Sequence, residues 1–352
     1  METPEFQSEL KIILAGLDNA GKTSMLVALQ KMYKFEEDVH SLKPTVRISY
    51  YQRSFLNLQL NFWDFGGQKK YRELYFNRKM YFMDVNKFIY LIDIQDEERF
   101  NESLLYLGDI LRTIDELNYD KTQEIFICFS KMDDNEHTFI KMPQYIQAMA
   151  ALRKKIFEMF PEFKFRFFST SIYNVYSIVK MMSEGLKSYI DGYSQMVESM
   201  EDFGINYGVK QLILFDQTGL IIADFIKDYE GYAREMIDKI INKHLEFYKQ
   251  IENDDLDFMA TRGVEGDLMD SCYQFLLASD EEENFFLKLM DSDKIHTEEM
   301  EGESDEKYYL SMLGEKDKVL KAEGEIMALI RGLRKTIGEI KKQHASEKNS
   351  QA

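Results

Sequence analysis

Apolar and polar positions along this chain fall into short runs, and the period of each run predicts its element. Residues 10–15 are almost wholly apolar and read as a strand, while Met25, Leu26, Leu29 and Met32 recur at helical spacing along 22–34. That is strand, loop, helix. Over 56–62, Leu56, Leu58, Leu60 and Phe62 alternate with Asn57, Gln59 and Asn61, the period of a strand with one wet face. Three more aromatic and β-branched runs, 87–93, 124–129 and 163–168, are separated by longer amphipathic stretches, the arrangement of parallel strands joined by crossover helices. Val175, Val179, Met182, Leu186 and Ile190 close the unit on one helical face. An α/β domain over 8–192 is expected.

Past the polar residues 191–194 the pattern changes. Two strand-like runs, 209–215 and 220–225, flank Asp216, Gln217, Thr218 and Gly219, and the glycine supplies the positive φ of a hairpin turn. A helix over 229–249, strands over 272–278, 284–290 and 308–313, and a helix over 318–342 are expected to follow. In the last of these, Ile326, Ile330, Leu333, Ile337 and Ile340 form one stripe, which predicts packing on its own sheet rather than a partner seam. A second, smaller α/β domain over 193–343 is expected, with a tail over 344–352.

Charge changes this picture locally. The 352 residues carry 62 acidic and 44 basic side chains, a formal charge of −18. Residues 252–306 alone hold 19 acidic against three basic side chains (Arg262, Lys288, Lys294), a net of −16. The total argues against nucleic acid or anionic lipid as a partner, since both call for a basic face. The N-terminal half is nearly neutral and lies outside that argument. Asp280 to Glu283 and the acidic 291–306 stretch read as solvated loops. Cys128 and Cys272 lie far apart in no ligand or redox spacing, so buried thiols in a reducing compartment are expected. The N-terminus has no signal-peptide pattern, Glu2 excludes myristoylation, and no apolar run nears the roughly 20 residues that span a bilayer. A cytoplasmic protein without a direct membrane anchor is expected, any membrane recruitment coming through partners.

The chemistry begins after the first strand. Gly16, Leu17, Asp18, Asn19, Ala20, Gly21, Lys22 and Thr23, followed by Ser24, fit the phosphate-binding loop G-x-x-x-x-G-K-[ST]. The glycines let successive backbone N–H groups face an anion, and the helix from Lys22 adds its positive end. Lys22 would reach the β and γ phosphates and Thr23 would place its hydroxyl on Mg²⁺. Asp64, in Asp-Phe-Gly-Gly-Gln, would hold a Mg²⁺ water, with the Gly67 amide on the γ-phosphate and Gln68 orienting the attacking water. Thr45 is the candidate that closes on Mg²⁺. Asp133, in Ser130-Lys131-Met132-Asp133, can accept both the ring N–H and the amino group of guanine, while the Lys131 stem covers the ring. Thr170, Ser171 and Ile172 are placed to offer a backbone amide to the base oxygen. Arg47 and Arg72 near these motifs are expected to be solvated or to face a partner.

These motifs make residues 10–190 resemble a Ras-superfamily small GTPase. Gly16 to Thr23 and Trp63 to Gln68 are close to Arf-family forms. Asn57 to Asp64, Tyr75-Phe76, Lys131-Met132-Asp133 and Thr170-Ser171-Ile172 look more like Rag GTPases. The resemblance implies a P-loop NTPase G domain followed by a roadblock-like (profilin-like) domain, whose first hairpin 211–223 resembles. It also implies GTP and GDP as ligands, Mg²⁺ as cofactor, an exchange factor and a GTPase-activating protein as partners, and homo- or heterodimerisation through the C-terminal domain. Ser130 departs from the family's usual Asn or Thr. Two functions follow: a signalling switch that hydrolyses GTP slowly, or a scaffold with permanently bound nucleotide. A P-loop kinase or ATPase is disfavoured by Lys131-Met132-Asp133.

Overall fold

A computed structural model describes residues 9–31, 35–133, 136–216, 219–226, 275–278, 283–289, 308–314 and 322–350. The chain divides into two compact units, Met1–Met181 and Met182–Ala352.

The first unit is built on six strands: β1 (Glu9–Gly16), β2 (Ile48–Phe55), β3 (Leu58–Phe65), β4 (Lys87–Asp93), β5 (Glu124–Ser130) and β6 (Lys164–Ser169). Their order is β2-β3-β1-β4-β5-β6, and every pairing is parallel except β2 with β3. Helices α1 (Lys22–Lys31), α3 (Lys69–Phe76), α4 (Phe100–Glu116), α5 (Glu136–Met159) and α6 (Val175–Leu186) lie between or after the strands, with a short α2 at Glu36–Ser41. Central β1, β4 and β5 are buried along nearly their whole length, which is why their sequences are continuous apolar runs rather than alternating ones. Phe65, Tyr75, Phe88, Tyr90, Leu107 and Phe129 belong to one core.

One strand differs from expectation. Alternation holds over Leu58, Leu60 and Phe62, but Leu56 and Asn57 form the turn of a β2–β3 hairpin, with φ of 51° and 63°. Phe55 pairs directly with Leu58, so the loop has two residues, and a tight turn of that length has positive φ at both. Leu56 is fully buried there, so packing overrides its aversion to the left-handed region. β2 itself carries no apolar alternation strong enough to announce it; it is an edge strand with half-buried and exposed side chains.

Because β1, β3, β4, β5 and β6 run in one direction, residues 16, 65, 93, 130 and 169 end at one edge of the sheet, where open α/β sheets bind ligands. These strand ends and the loops that follow carry the phosphate loop, Asp64 to Gln68, Ser130 to Asp133 and Thr170 to Ile172, whereas Thr45 and Arg47 precede β2.

The second unit contains α7 (Tyr193–Tyr207) and an antiparallel five-stranded sheet. Its strands are β7 (Val209–Asp216), β8 (Ile221–Ile226), β9 (Phe275–Ala278), β10 (Glu283–Leu289) and β11 (Tyr308–Gly314), in the order β8-β7-β11-β10-β9. Gly219 takes φ 78° in the β7–β8 hairpin, and its N–H reaches Asp216 O at 3.0 Å. The final helix α8 spans Glu323–Ser350, continuing through residues expected to be a tail. Ile326, Ile330, Leu333, Ile337 and Ile340 are all buried, so the stripe is not an open seam. The helix expected over 229–249, Cys272 and the acidic 291–306 stretch lie outside the described residues. No helix among those described is long and apolar enough to cross a membrane.

Candidate functional site

The phosphate loop is shaped by close approach. Gly16 has φ 145°, and a Cβ there would lie 2.4 Å from Leu91 O, so β1 can pass β4 at this point only as glycine. Asn19 (φ 66°) and Gly21 (φ 82°) then turn the loop, and α1 begins at Lys22 with Met25 N–H on Gly21 O at 2.9 Å. Lys22 is buried, and its Nζ donates to Gly16 O (3.1 Å) and Leu17 O (2.7 Å). Burial pushes its ammonium down to about 8, against the opposing pull of Asp64 and Asp18. A buried ammonium held only by neutral carbonyls is an anion-binding group.

Thr23, Thr45 and Asp64 converge beside it. Thr23 Oγ1 donates to Asp64 Oδ2 at 2.5 Å, Thr45 Oγ1 reaches the same oxygen at 3.1 Å, and the two hydroxyls are 2.7 Å apart. Asp64 is fully buried, yet its Oδ1 has no hydrogen-bond partner. Burial raises the carboxyl above its usual range, while the Lys22 charge and the two hydroxyls lower it. An orphaned buried carboxylate oxygen is costly unless a ligand fills it. The described residues contain no group of three or more His, Cys, Asp or Glu able to hold a metal ion. A Mg²⁺ here would therefore take its remaining donors from hydroxyls, water and phosphate oxygens, which is how that ion is commonly held. The donor set fits.

Gly66, Gly67 and Gln68 leave β3 against this loop. A Cβ on Gly67 would sit 2.1 Å from Asp18 N and 2.5 Å from Leu17 O, so the two segments touch backbone to backbone. Gly66 N–H donates to Arg47 O at 2.7 Å, and the buried Tyr75 hydroxyl donates to the same carbonyl at 2.5 Å, joining α3 to the residues after Thr45. Half-buried Gln68 directly precedes α3, its carbonyl accepting the Tyr71 and Arg72 N–H groups. Arg47 is exposed, as expected. Arg72 is not: it is buried, ion-paired with Glu102 and stacked 4.9 Å from the Tyr106 ring. Tyr106 and Glu102 lie some 30 residues away on α4, so no local signal marked the burial.

At the other end of the edge, Ser130 Oγ is buried and donates to Ala20 O (2.8 Å) of the phosphate loop and Ile92 O (3.2 Å). Lys131 takes φ 63°, its Nζ pairs with Asp93 Oδ2 at 2.7 Å, and Gln95 Nε2 donates to its carbonyl at 2.7 Å. Asp133 Oδ1 accepts the Ser171 hydroxyl at 2.6 Å, and Met132 N–H reaches Thr170 O at 3.0 Å, so the two loops are stitched together. The Ser171 N–H is taken by Ser177 Oγ at 3.0 Å. Cys128 is buried against Thr170, and its thiol is pushed up to about 12, as befits an inert structural residue.

Comparison with known proteins places these features in a family. The Gtr1/RagA G protein conserved region matches residues 11–243. ADP-ribosylation factor-like protein 3 of Caenorhabditis elegans is 36% identical over 104 residues, 29% of this chain and 52% of that protein. Its Chlamydomonas reinhardtii counterpart is 38% identical over 106 residues, 30% of this chain and 55% of that protein. The chain thus spans about half the length of the curated relatives it matches. Among solved structures, the Arl6 BBS3 small GTPase from Trypanosoma brucei, with bound GppNp, is 16% identical with a TM-score of 0.37, covering 51% of this chain and 97% of that one. With the conserved region running through two thirds of its length, the chain belongs to the Gtr1/RagA G protein family.

Proposed function

We propose that the protein is a GTP-driven switch which hydrolyses GTP to GDP and phosphate through Gln68. The observation that carries this reading is the convergence of Thr23, Thr45 and the orphaned Asp64 Oδ1 beside buried Lys22. Thr45 and the segment after Asp64 both close on this centre and also meet at Arg47 O, so loss of the γ-phosphate loosens the two together. Thr23, Thr45 and Asp64 would hold a Mg²⁺, which would supply charge neutralisation to the phosphates. Asp18 to Ser24, Thr45 and Gly67 surround the phosphates; Ser130, Lys131, Asp133, Ser171 and Ile172 surround guanine. The Ser130 bond to Ala20 O supports the base pocket despite its departure from the family pattern, joining base strand to phosphate loop.

Purified full-length protein is expected to carry guanine nucleotide that GTP and GDP displace and ATP does not. Gln68→Leu is expected to keep GTP affinity and slow single-turnover hydrolysis at least tenfold from an intrinsic rate on the order of 10⁻⁴ per second. Displacement by ATP, or an unchanged single-turnover rate, contradicts the reading. A permanently bound, non-exchanging nucleotide would favour the scaffold alternative instead.

The expected domain limits, 8–192 and 193–343, assign the second sheet a roadblock-like role in dimerisation with a like domain. Burial of the α8 stripe leaves a sheet edge, β8 or β9, as the pairing element. Light scattering is expected to give a mass near twice 41.7 kDa, or a stable complex with a roadblock-bearing partner. A monomer under both conditions removes this part of the proposal.

A further inference from the structure

Four charged side chains run in a line from the switch helix to the phosphate loop. Arg72 on α3 pairs with Glu102 Oε1, and Glu102 Oε2 accepts Arg99 Nε at 3.1 Å. Arg99 in turn donates through Nη2 to Asp18 Oδ1 at 2.8 Å and through Nη1 to Asp18 O at 3.3 Å. Asp18 belongs to the phosphate loop, and its amide lies against the backbone of Gly67, the residue read as the γ-phosphate contact. A carboxylate at that place opposes a triphosphate unless its charge is matched.

We propose that Arg99 and Glu102 are positioning residues that make triphosphate affinity depend on the placement of α3: Arg99 neutralises Asp18 and draws it aside, and Glu102 holds Arg99 in place through Arg72. The inference rests on the nucleotide reading above and concerns the choice between tri- and diphosphate.

Three features support it. Glu102 is the only residue bonded to both arginines among the described hydrogen bonds, so it transmits any shift of Arg72 to Arg99. Arg72 is buried with its Nε unpartnered, so Glu102 and the Tyr106 ring are what hold it, and displacement of α3 breaks the line at that end. A small cavity behind the phosphate loop, lined by Asp18, Asp96, Arg99 and Phe100 among others, borders the Arg99–Asp18 pair and sets Asp96 as a further carboxylate on its wall, whereas Asp93, also there, is held by Lys131. The Asp18 carboxyl is held below its usual range: burial raises it, and the Arg99 hydrogen bond and charge outweigh that. It therefore stays ionised at neutral pH and needs its partner.

The test measures GTP and GDP affinities of the full-length chain by competition against a fluorescent guanine nucleotide. Arg99→Ala is expected to lower the GTP-to-GDP preference about tenfold, and Asp18→Asn combined with Arg99→Ala to restore it within about twofold, because a neutral Asn needs no counter-charge. Glu102→Gln, which keeps shape and packing, is expected to shift the preference in the same direction by about threefold. A simple loss of stability would weaken both nucleotides alike. An unchanged ratio in Arg99→Ala, or a double variant as impaired as the single one, overturns the inference alone. If Arg99→Ala does not fold, an unchanged ratio in Glu102→Gln does the same. A wild-type chain that binds no guanine nucleotide overturns the nucleotide reading as well.

Discussion

Lys22→Ala is expected to cost the protein a hundredfold or more in guanine-nucleotide affinity. The ammonium is buried at the mouth of the phosphate loop with two backbone carbonyls as its partners, so a phosphate would replace neutral acceptors by charged ones. Losing charge-assisted hydrogen bonds of that kind costs roughly 3 kcal/mol, about a hundredfold. The same burial sets a pH dependence. Burial in the folded chain lowers Lys22 from 10.5 to about 8, so between those values the unfolded chain binds the proton more tightly. Burial of the charged lysine thus costs stability at neutral pH, and stability rises as pH rises through that window. Nucleotide binding runs the other way, because phosphate needs the ammonium. Affinity measured by equilibrium titration is expected to fall as pH is raised from 7.5 to 9 in the wild type and to stay flat in Lys22→Ala. A variant retaining wild-type affinity would contradict the assignment of Lys22 to the phosphates.

Gly67→Ala is expected to separate the two nucleotide states. The added Cβ would lie 2.1 Å from Asp18 N and 2.2 Å from Leu17 C, distances that backbone atoms do not tolerate, so residues 66–68 must withdraw from the phosphate loop. Overpacking of this type costs roughly 2 kcal/mol, about 30-fold, and, on the proposal that the γ-phosphate draws Gly67 to this loop, falls on the triphosphate state. GTP-analogue affinity is expected to drop by that factor while GDP affinity changes little. Equal loss of both ligands, or of neither, would show that Gly67 does not approach the γ-phosphate. The variant is also expected to pull Gly66 from Arg47 O, leaving the Tyr75 hydroxyl as the remaining donor to that carbonyl.

Particular elements show how much was legible beforehand. The strands at 87–93 and 124–130 were readable because burial on both faces forces continuous apolar runs, and the phosphate loop because only glycine fits the approach of Gly16 to Leu91. Edge strand β2 was not, since an exposed edge imposes little hydrophobic pattern. Leu56 alternated correctly and still belongs to a turn, because the pairing of Phe55 with Leu58 leaves only two residues to reverse the chain. Arg72, expected to be solvated or to face a partner, is buried. Its Glu102 partner lies 30 residues on, and an isolated arginine in a sequence carries no trace of a counter-charge brought by another helix.

The sequence by itself determined the order of the parallel strands β1, β3, β4, β5 and β6, the phosphate loop, the carboxylate candidate Asp64 and the base-reading candidate Asp133. Each depends on local spacing or on which residue type a backbone conformation admits. Only the tertiary structure decided that Thr23 and Thr45 share one Asp64 oxygen and leave the other open, and that Ser130 ties the base strand to the phosphate loop. It alone brought Arg72, Glu102, Arg99 and Asp18 into one line, and it alone showed the α8 stripe to be covered. The physical reason is that these contacts join residues far apart in the chain; in the first unit, parallel strands bring their loops to one edge whatever the sequence distance between them.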